Sequence, residues 1–187
     1  MRKVTYSMGV SLDGFVIGPD GEFAWTAPDE EVFGFSTEEV AGVGVHLLGR
    51  RLYEAMLVWE TVDEMPGLGF STGEFARRWR RIPKVVFSTT LAEVEGNARL
   101  LPGGLVDEVE RLRAEPGEGD IAVGGADLAA QLLDAGLVDE FRIRVYPVLV
   151  GGGTPYFLRD ERRVDLELVE TRTFGCGVVF LHHRVVR

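Results

Sequence analysis

Asp120-Ile121-Ala122-Val123-Gly124-Gly125-Ala126-Asp127-Leu128-Ala129-Ala130-Gln131-Leu132-Leu133 decides how the rest of the chain is read. It starts as a short apolar, β-prone run, meets two glycines, and continues with apolar residues at helical spacing. A strand that breaks at Gly-Gly and opens a helix brings bare backbone and unpaired N–H groups to one point. The helix adds a partial positive charge there. Phosphate is the usual guest of such a place. For the glycine pair alone, a tight strand-to-helix turn without a ligand is the competing reading.

Upstream, Val4 to Met8 reads as a first strand and Gly9 to Ala24 as a long, turn-rich loop. A helix follows from Pro28 to about Val40, with acids in its first turn. Val43 to Leu48 suits a buried strand, and Arg51 to Leu57 a second helix. Pro66 to Gly73 reads as a loop, Glu74 to Arg81 as a helix, Lys84 to Ser88 as a strand and Gly103 to Arg113 as a helix. Downstream, Leu137 to Val148 reads as a long strand broken by Pro147. Val164 to Thr173 and Val178 to Val186 form a terminal antiparallel hairpin across Gly175-Cys176-Gly177. Strands alternating with helices, then finishing as a hairpin, predict an α/β fold: a mostly parallel sheet with antiparallel strands at one edge.

The 187 residues suit one domain spanning 1–187, and 45% hydrophobic residues supply a core. No apolar run approaches the roughly 20 residues a bilayer needs, and the N-terminus lacks an apolar signal region. The expectation is a cytoplasmic protein that engages no membrane. A net charge of −10 disfavours nucleic acid as a partner. The cluster Arg77, Arg78, Arg80, Arg81 and Lys84, interleaved with Phe75, Trp79 and Ile82, reads as the solvated side of an amphipathic helix. The single cysteine, Cys176, excludes an internal disulfide and a multi-cysteine zinc site, and no metal is expected. It reads as a buried or inert thiol.

Three strand ends share a character. Gly49-Arg50-Arg51 follows one strand, Ser88-Thr89-Thr90 another and Gly124-Gly125 a third. In open α/β sheets ligands bind beyond the carboxyl ends of the strands. These ends offer guanidinium groups, hydroxyls and bare backbone at a helix start, the parts that hold a dinucleotide's phosphates. The spacing is neither a G-x-G-x-x-G fingerprint nor a G-x-x-x-x-G-K-[ST] loop.

Ser11-Leu12-Asp13-Gly14, Leu47-Leu48-Gly49-Arg50 with Tyr53-Glu54, Val85-Val86-Phe87-Ser88-Thr89-Thr90 and Ala122-Val123-Gly124-Gly125 occur in the order found in the dihydrofolate reductase fold. Leu137-Val138-Asp139-Glu140, then Pro147-Val148-Leu149-Val150-Gly151-Gly152-Gly153, resembles the reductase domain of the bifunctional riboflavin-biosynthesis deaminase-reductase and its single-domain relatives. The resemblance covers nearly the whole chain. It implies an eight-stranded, mainly parallel sheet with flanking helices and NADPH lying across the strand ends.

By the same resemblance Gly49, Arg50 and Arg51 open a helix under the cofactor phosphates, and Ser88 and Thr89 stand near the adenosine phosphate. Gly124 and Gly125 match a pair joined by a cis peptide bond, with Ala126 and Leu128 beginning the following helix. Ile17 and Gly18 match the loop near the nicotinamide, and Trp25 the residue that closes it. Glu30 matches the proton donor most closely, with Asp29 beside it and Asp13 as a second candidate. Capping of a helix start by Asp29, Glu30 and Glu31, and turn formation by Asp13, are the competing structural roles.

Two departures stand out. Asp127 is an acid where these reductases often carry a cation, which weakens a preference for NADPH over NADH. Leu52-Tyr53-Glu54-Ala55-Met56 replaces the substrate segment Thr-Val-x-x-Asp-x-Pro of the bifunctional enzymes. The zinc deaminase half is not expected, since its H-x-E and P-C-x-x-C signature cannot be built from one cysteine. The implied activity is NADPH-dependent reduction of a pyrimidine or pterin, with 5-amino-6-(5-phosphoribosylamino)uracil leading and dihydrofolate or another pterin second. A non-catalytic nucleotide sensor is the non-enzymatic rival. The long apolar strands Arg142 to Val150 and Val178 to Val186 predict a homodimer.

Overall fold

In the computed structural model, which describes residues 1–62, 70–158 and 163–187, the middle of the molecule is β1 (Val4–Ser11). Its side chains alternate between two buried faces. Val4, Tyr6 and Val10 join one apolar cluster, while Thr5 and Ser11 are buried on the other side. β1 pairs in parallel with β6 (Asp120–Gly124) and with β7 (Glu140–Tyr146). β6 pairs with β3 (Val43–Gly49), β3 with β4 (Lys84–Phe87), and β4 with β5 (Ala98–Leu101), all parallel. Beyond β7, β10 (Val179–Val185) and β9 (Leu166–Thr173) run antiparallel, giving eight strands in the order β5-β4-β3-β6-β1-β7-β10-β9. The mainly parallel sheet with an antiparallel edge agrees with the sequence.

Helices cover both faces. α5 (Leu105–Ala114) buries Leu105, Val109 and Leu112, and α6 (Ala126–Asp134) buries Leu128, Ala129 and Leu132, all in the cluster around Tyr6. On the opposite face lie α1 (Glu30–Ala41), α2 (Arg50–Met56), the short α3 (Val58–Thr61) and α4 (Phe70–Arg81). α1 bridges two aromatic clusters. Val32 and Phe35 pack with Tyr146, Phe174 and Phe180, and Phe33 and Val40 pack with Tyr53, Phe75 and Trp79. The polar α4 buries Phe75, Ala76 and Trp79, as expected of an amphipathic helix, but Lys84, expected on its solvated side, is buried at the start of β4. No helix among the described residues is long and apolar enough to cross a membrane.

Several expectations change. β1 runs on to Ser11, and β2 (Phe15–Ile17) pairs with β8 (Thr154–Pro155), so Gly9 to Ala24 is not one long loop. That pairing lies beyond the range of local patterns. α4 begins at Phe70, inside the expected loop Pro66 to Gly73, whose first residues lie outside the described ones. β5 is an added strand. The strand expected from Leu137 starts only at Glu140, because the Leu137 amide closes the end of α6 by donating to Leu132 O at 2.8 Å. β7 and β10 each have neighbours on both sides, so the sheet's edges are β5 and β9, not the strands that suggested a dimer. Cys176 is exposed rather than buried.

Candidate functional site

β4, β3 and β6 are adjacent and parallel, so their carboxyl ends open side by side. Leu48 stands opposite Gly124, and Gly49 opposite Phe87. Arg50, Ser88 and Gly125, each the next residue in chain, therefore leave one edge of the sheet together. Arg50 starts α2, is half-exposed, and reaches Glu54 at 3.6 Å; Arg51 is exposed. The Ser88 hydroxyl accepts from the Thr90 and Leu91 amides, both at 3.1 Å, which tightens the turn and leaves Thr89 exposed.

The two glycines have different reasons. A Cβ on Gly124 would lie 2.5 Å from Leu52 Cδ2 and 2.9 Å from Leu48 Cδ2, so its absence lets α2 sit against the strand. Gly125 has φ +105°, which favours glycine, and nothing lies within 4 Å of where a Cβ would stand. It opens α6 without a side-chain cap, so the N–H groups of the first turn are free of one. Ala126 and Leu128 are buried there, and Asp127 is exposed. The cis bond implied by the resemblance is not found: the Gly124–Gly125 peptide is trans. The open backbone, the uncapped helix start, the hydroxyl turn and the guanidinium pair fit the diphosphate of a nicotinamide dinucleotide.

The neighbouring exit, after β1 and β7, is fastened by Asp13. Its carboxylate accepts from the Val150 amide at 3.1 Å and the Gly151 amide at 2.7 Å. The Ser11 hydroxyl, then those two amides, hold its carboxyl below the usual range. Through these two amides Asp13 ties the β1 exit to the segment that follows β7. Ile17 pairs with Thr154, and the Gly18 amide donates to Glu22 O at 2.8 Å. The chain passes so closely that a Cβ on Gly153 would lie 2.0 Å from Ile17 O.

Trp25 lies in a single 3-10 turn and packs edge-on against Tyr146 at 6.1 Å, with its Nε1 buried and unpartnered. Gly9 leaves room for this: a Cβ there would stand 3.0 Å from Tyr146 Cε2 and 3.3 Å from Thr26 Cγ2. Asp29 caps α1, accepting from the Val32 amide at 2.9 Å. Glu31 accepts from the Gly175 amide at 2.9 Å and tethers the β9–β10 turn. Glu30 is exposed in the first turn and makes no hydrogen bond or ion pair with the described residues. Of the three acids singled out, it is the one not engaged as a backbone acceptor.

Sequence reasoning missed two groups on the α1 side of the sheet. Arg144 pairs with Glu39 of α1 and donates to the Ser7 hydroxyl at 3.2 Å. Ser7 and Arg144, polar residues inside otherwise apolar strands, were the available signal. His46 packs against Trp79 at 5.2 Å with its Nδ1 buried and unpartnered. Burial, and then the Lys84 charge, push its pKa down to about 4, so it is neutral at pH 7.

Comparison with known proteins fits this geometry. Residues 2–180 match the family model described as the RibD C-terminal domain. The uncharacterized protein YyaP of Bacillus subtilis is 33% identical over 95% of this chain and 92% of its own length. YwjB of the same organism, also uncharacterized, is 28% identical over 95% of each. A putative riboflavin biosynthesis protein from Shewanella superposes with a TM-score of 0.74 at 21% identity, covering all of both chains. A diaminohydroxyphosphoribosylaminopyrimidine deaminase/5-amino-6-(5-phosphoribosylamino)uracil reductase from Thermotoga maritima gives 0.70 at 16%, covering 99% of this chain and 57% of that one. The last two likenesses carry the fold, shared with the dihydrofolate reductases. The family match, the YyaP identity and the open strand ends agree: this chain belongs to the RibD C-terminal domain family.

Proposed function

We propose that the protein is an NADPH-dependent reductase of a pyrimidine- or pterin-type substrate, with 5-amino-6-(5-phosphoribosylamino)uracil the leading candidate. One observation carries the reading: Gly49-Arg50, Phe87-Ser88 and Gly124-Gly125 leave three adjacent parallel strands at one level. Arg50, Arg51, Ser88, Thr89 and the backbone at Gly125, Ala126 and Leu128 would hold the cofactor's phosphates, and Ile17 and Gly18 its nicotinamide end. Bound there, the cofactor supplies hydride to a C=N or opened-sugar C=O carbon. Trp25 and Tyr146 wall the neighbouring exit and keep bulk water out. Glu30 delivers the proton, directly or through a water. Family membership supports the substrate class, and the replaced segment Leu52 to Met56 keeps a pterin as the second candidate.

A non-catalytic nucleotide sensor has a specific observation in its favour. Asp13 and Asp29 are both occupied as backbone acceptors, and Glu30 is exposed rather than set in an apolar cleft. One experiment separates the readings. NADPH fluorescence is titrated with protein, and loss of cofactor absorbance is then followed with the ribosylated pyrimidine, dihydrofolate and a pterin panel. Binding with turnover of one compound supports the reductase and names its substrate. Binding without turnover of any compound supports the sensor. No binding of NADPH or NADH removes both.

A further inference from the structure

At the end of the sheet opposite the three exits, the amino ends of β3, β4 and β5 line a cleft of about 290 Å³. Arg2, Arg99 and Arg111 line it too, and none of the described residues around it is an acid. The Lys84 ammonium is engaged elsewhere, donating to Trp79 O at 2.8 Å and Ile82 O at 3.2 Å. Arg2 is firmly seated. Its Nε donates to Gly119 O at 3.0 Å. A Cβ on Gly44 would lie 2.6 Å from its Nη2, and one on Gly117 3.1 Å from its Nη1, so two glycines make room for the guanidinium. Among the described residues, neither terminal nitrogen of Arg2 has a hydrogen-bond partner and no carboxylate pairs with it. The other two arginines are gathered by the buried Glu108. Arg111 donates to both of its oxygens, at 2.7 and 3.0 Å, and also reaches Glu115. Arg99 reaches Glu108 through Nη2 alone, which leaves its Nε and Nη1 without a partner among the described residues.

We propose that this cleft binds a small phosphate-bearing anion, held by the free donors of Arg2 and Arg99, with Arg111 adding charge. A guanidinium presents its N–H groups as a planar fork that matches phosphate oxygens. A tetrahedral phosphate points oxygens in several directions, so it can accept from two forks on separate elements at once. A single planar carboxylate engages one. Two carboxylates, Glu108 and Glu115, meet three guanidiniums here, so the cleft keeps a positive excess on a molecule of net charge −10. The local excess, not the overall field, attracts the ligand. Sites for drug-sized ligands run from roughly 300 to 1,000 Å³, so the cleft suits a diphosphate or the phosphate end of a small metabolite. A bound anion would tie the N-terminal segment, through Arg2, to β5, an edge strand with only β4 beside it. The cleft and the proposed cofactor site lie at opposite ends of β3 and β4. Both can therefore be filled together, and the inference does not rest on the reductase reading.

Nuclear magnetic resonance of the full chain, titrated with inorganic pyrophosphate at low ionic strength, tests it. Amide shifts report the two ends of the sheet separately, so binding at the cofactor exits does not obscure the result. Shifts at Gly44, Val85 and Ala98 should saturate, whatever occurs at Gly125. Arg2→Ala and Arg99→Ala should each weaken that binding about tenfold or more. Arg2→Lys, which keeps the charge and loses the fork, should weaken it as well. Circular dichroism confirms that each variant is folded, and Arg99→Ala decides alone if Arg2→Ala is not. The absence of saturable shifts at Gly44 and Ala98 overturns the site. So does a dissociation constant unchanged in the folded alanine variants. Equal shifts from acetate at the same concentration and ionic strength overturn the assignment to phosphate.

Discussion

Glu140 is fully enclosed, yet it is met by basic side chains from two strands, β7 and β10, and from the N-terminal segment. Its carboxylate accepts from Lys3 Nζ at 2.7 Å, from Arg142 Nη2 at 2.9 Å and from His182 Nε2 at 2.9 Å. Burial alone raises its pKa, but these hydrogen bonds outweigh burial and hold it down at about 2, against an ordinary 4.5. A depressed pKa contributes stability that is complete above 4.5 and is lost as pH falls from 4.5 toward 2. Urea unfolding at pH 7 and pH 3 should show this loss. Glu140→Gln should reduce this pH dependence and cost about 3 kcal/mol at pH 7, since it leaves the largely enclosed Arg142 short of a counter-charge. At the same scale, Asp13→Ala should speed hydrogen exchange at the Val150 and Gly151 amides. It should also weaken NADPH binding, without loss of the global fold.

Between elements, the exits of β3 and β6 depend on close approach. Gly124→Ala would drive a methyl into Leu52 and Leu48 and push α2 off the strand. The expected cost is about 1–3 kcal/mol in thermal unfolding, with weaker NADPH binding. These elements were also the most legible in the sequence. β6, the glycines and α6 follow one another locally, so the change from strand to helix period is visible there. β5 was not legible: Ala98 to Leu101 follows a turn closely, and only pairing with β4 makes it a strand. β2 and β8 need contact between Ile17 and Thr154, which no local pattern encodes. The candidate site divides the same way. The phosphate side consists of backbone signals that follow strands. The acids depend on distant partners, as when Asp13 meets Val150 and Gly151.

For the molecule as a whole, the proposed cofactor site would be a property of the folded sheet, because it is made by three adjacent exits. Unfolding separates β3, β4 and β6, so the unfolded chain offers no such site. NADPH at one hundred times its dissociation constant should therefore add about 2.7 kcal/mol of stability. Thermal denaturation with and without cofactor measures this, and the gain should be smaller for Arg50→Ala/Arg51→Ala.

The central position of β1 also bears on how the chain is made. β1 leaves the ribosome well before its neighbours in the sheet, β6 and β7, which lie more than a hundred residues further along the chain. Until they emerge, Val4 and Tyr6, which end up almost wholly enclosed, have no lasting shelter. The nascent chain must carry these apolar residues unsheltered until β6 and β7 emerge, so slow assembly and a need for chaperone cover belong to this topology.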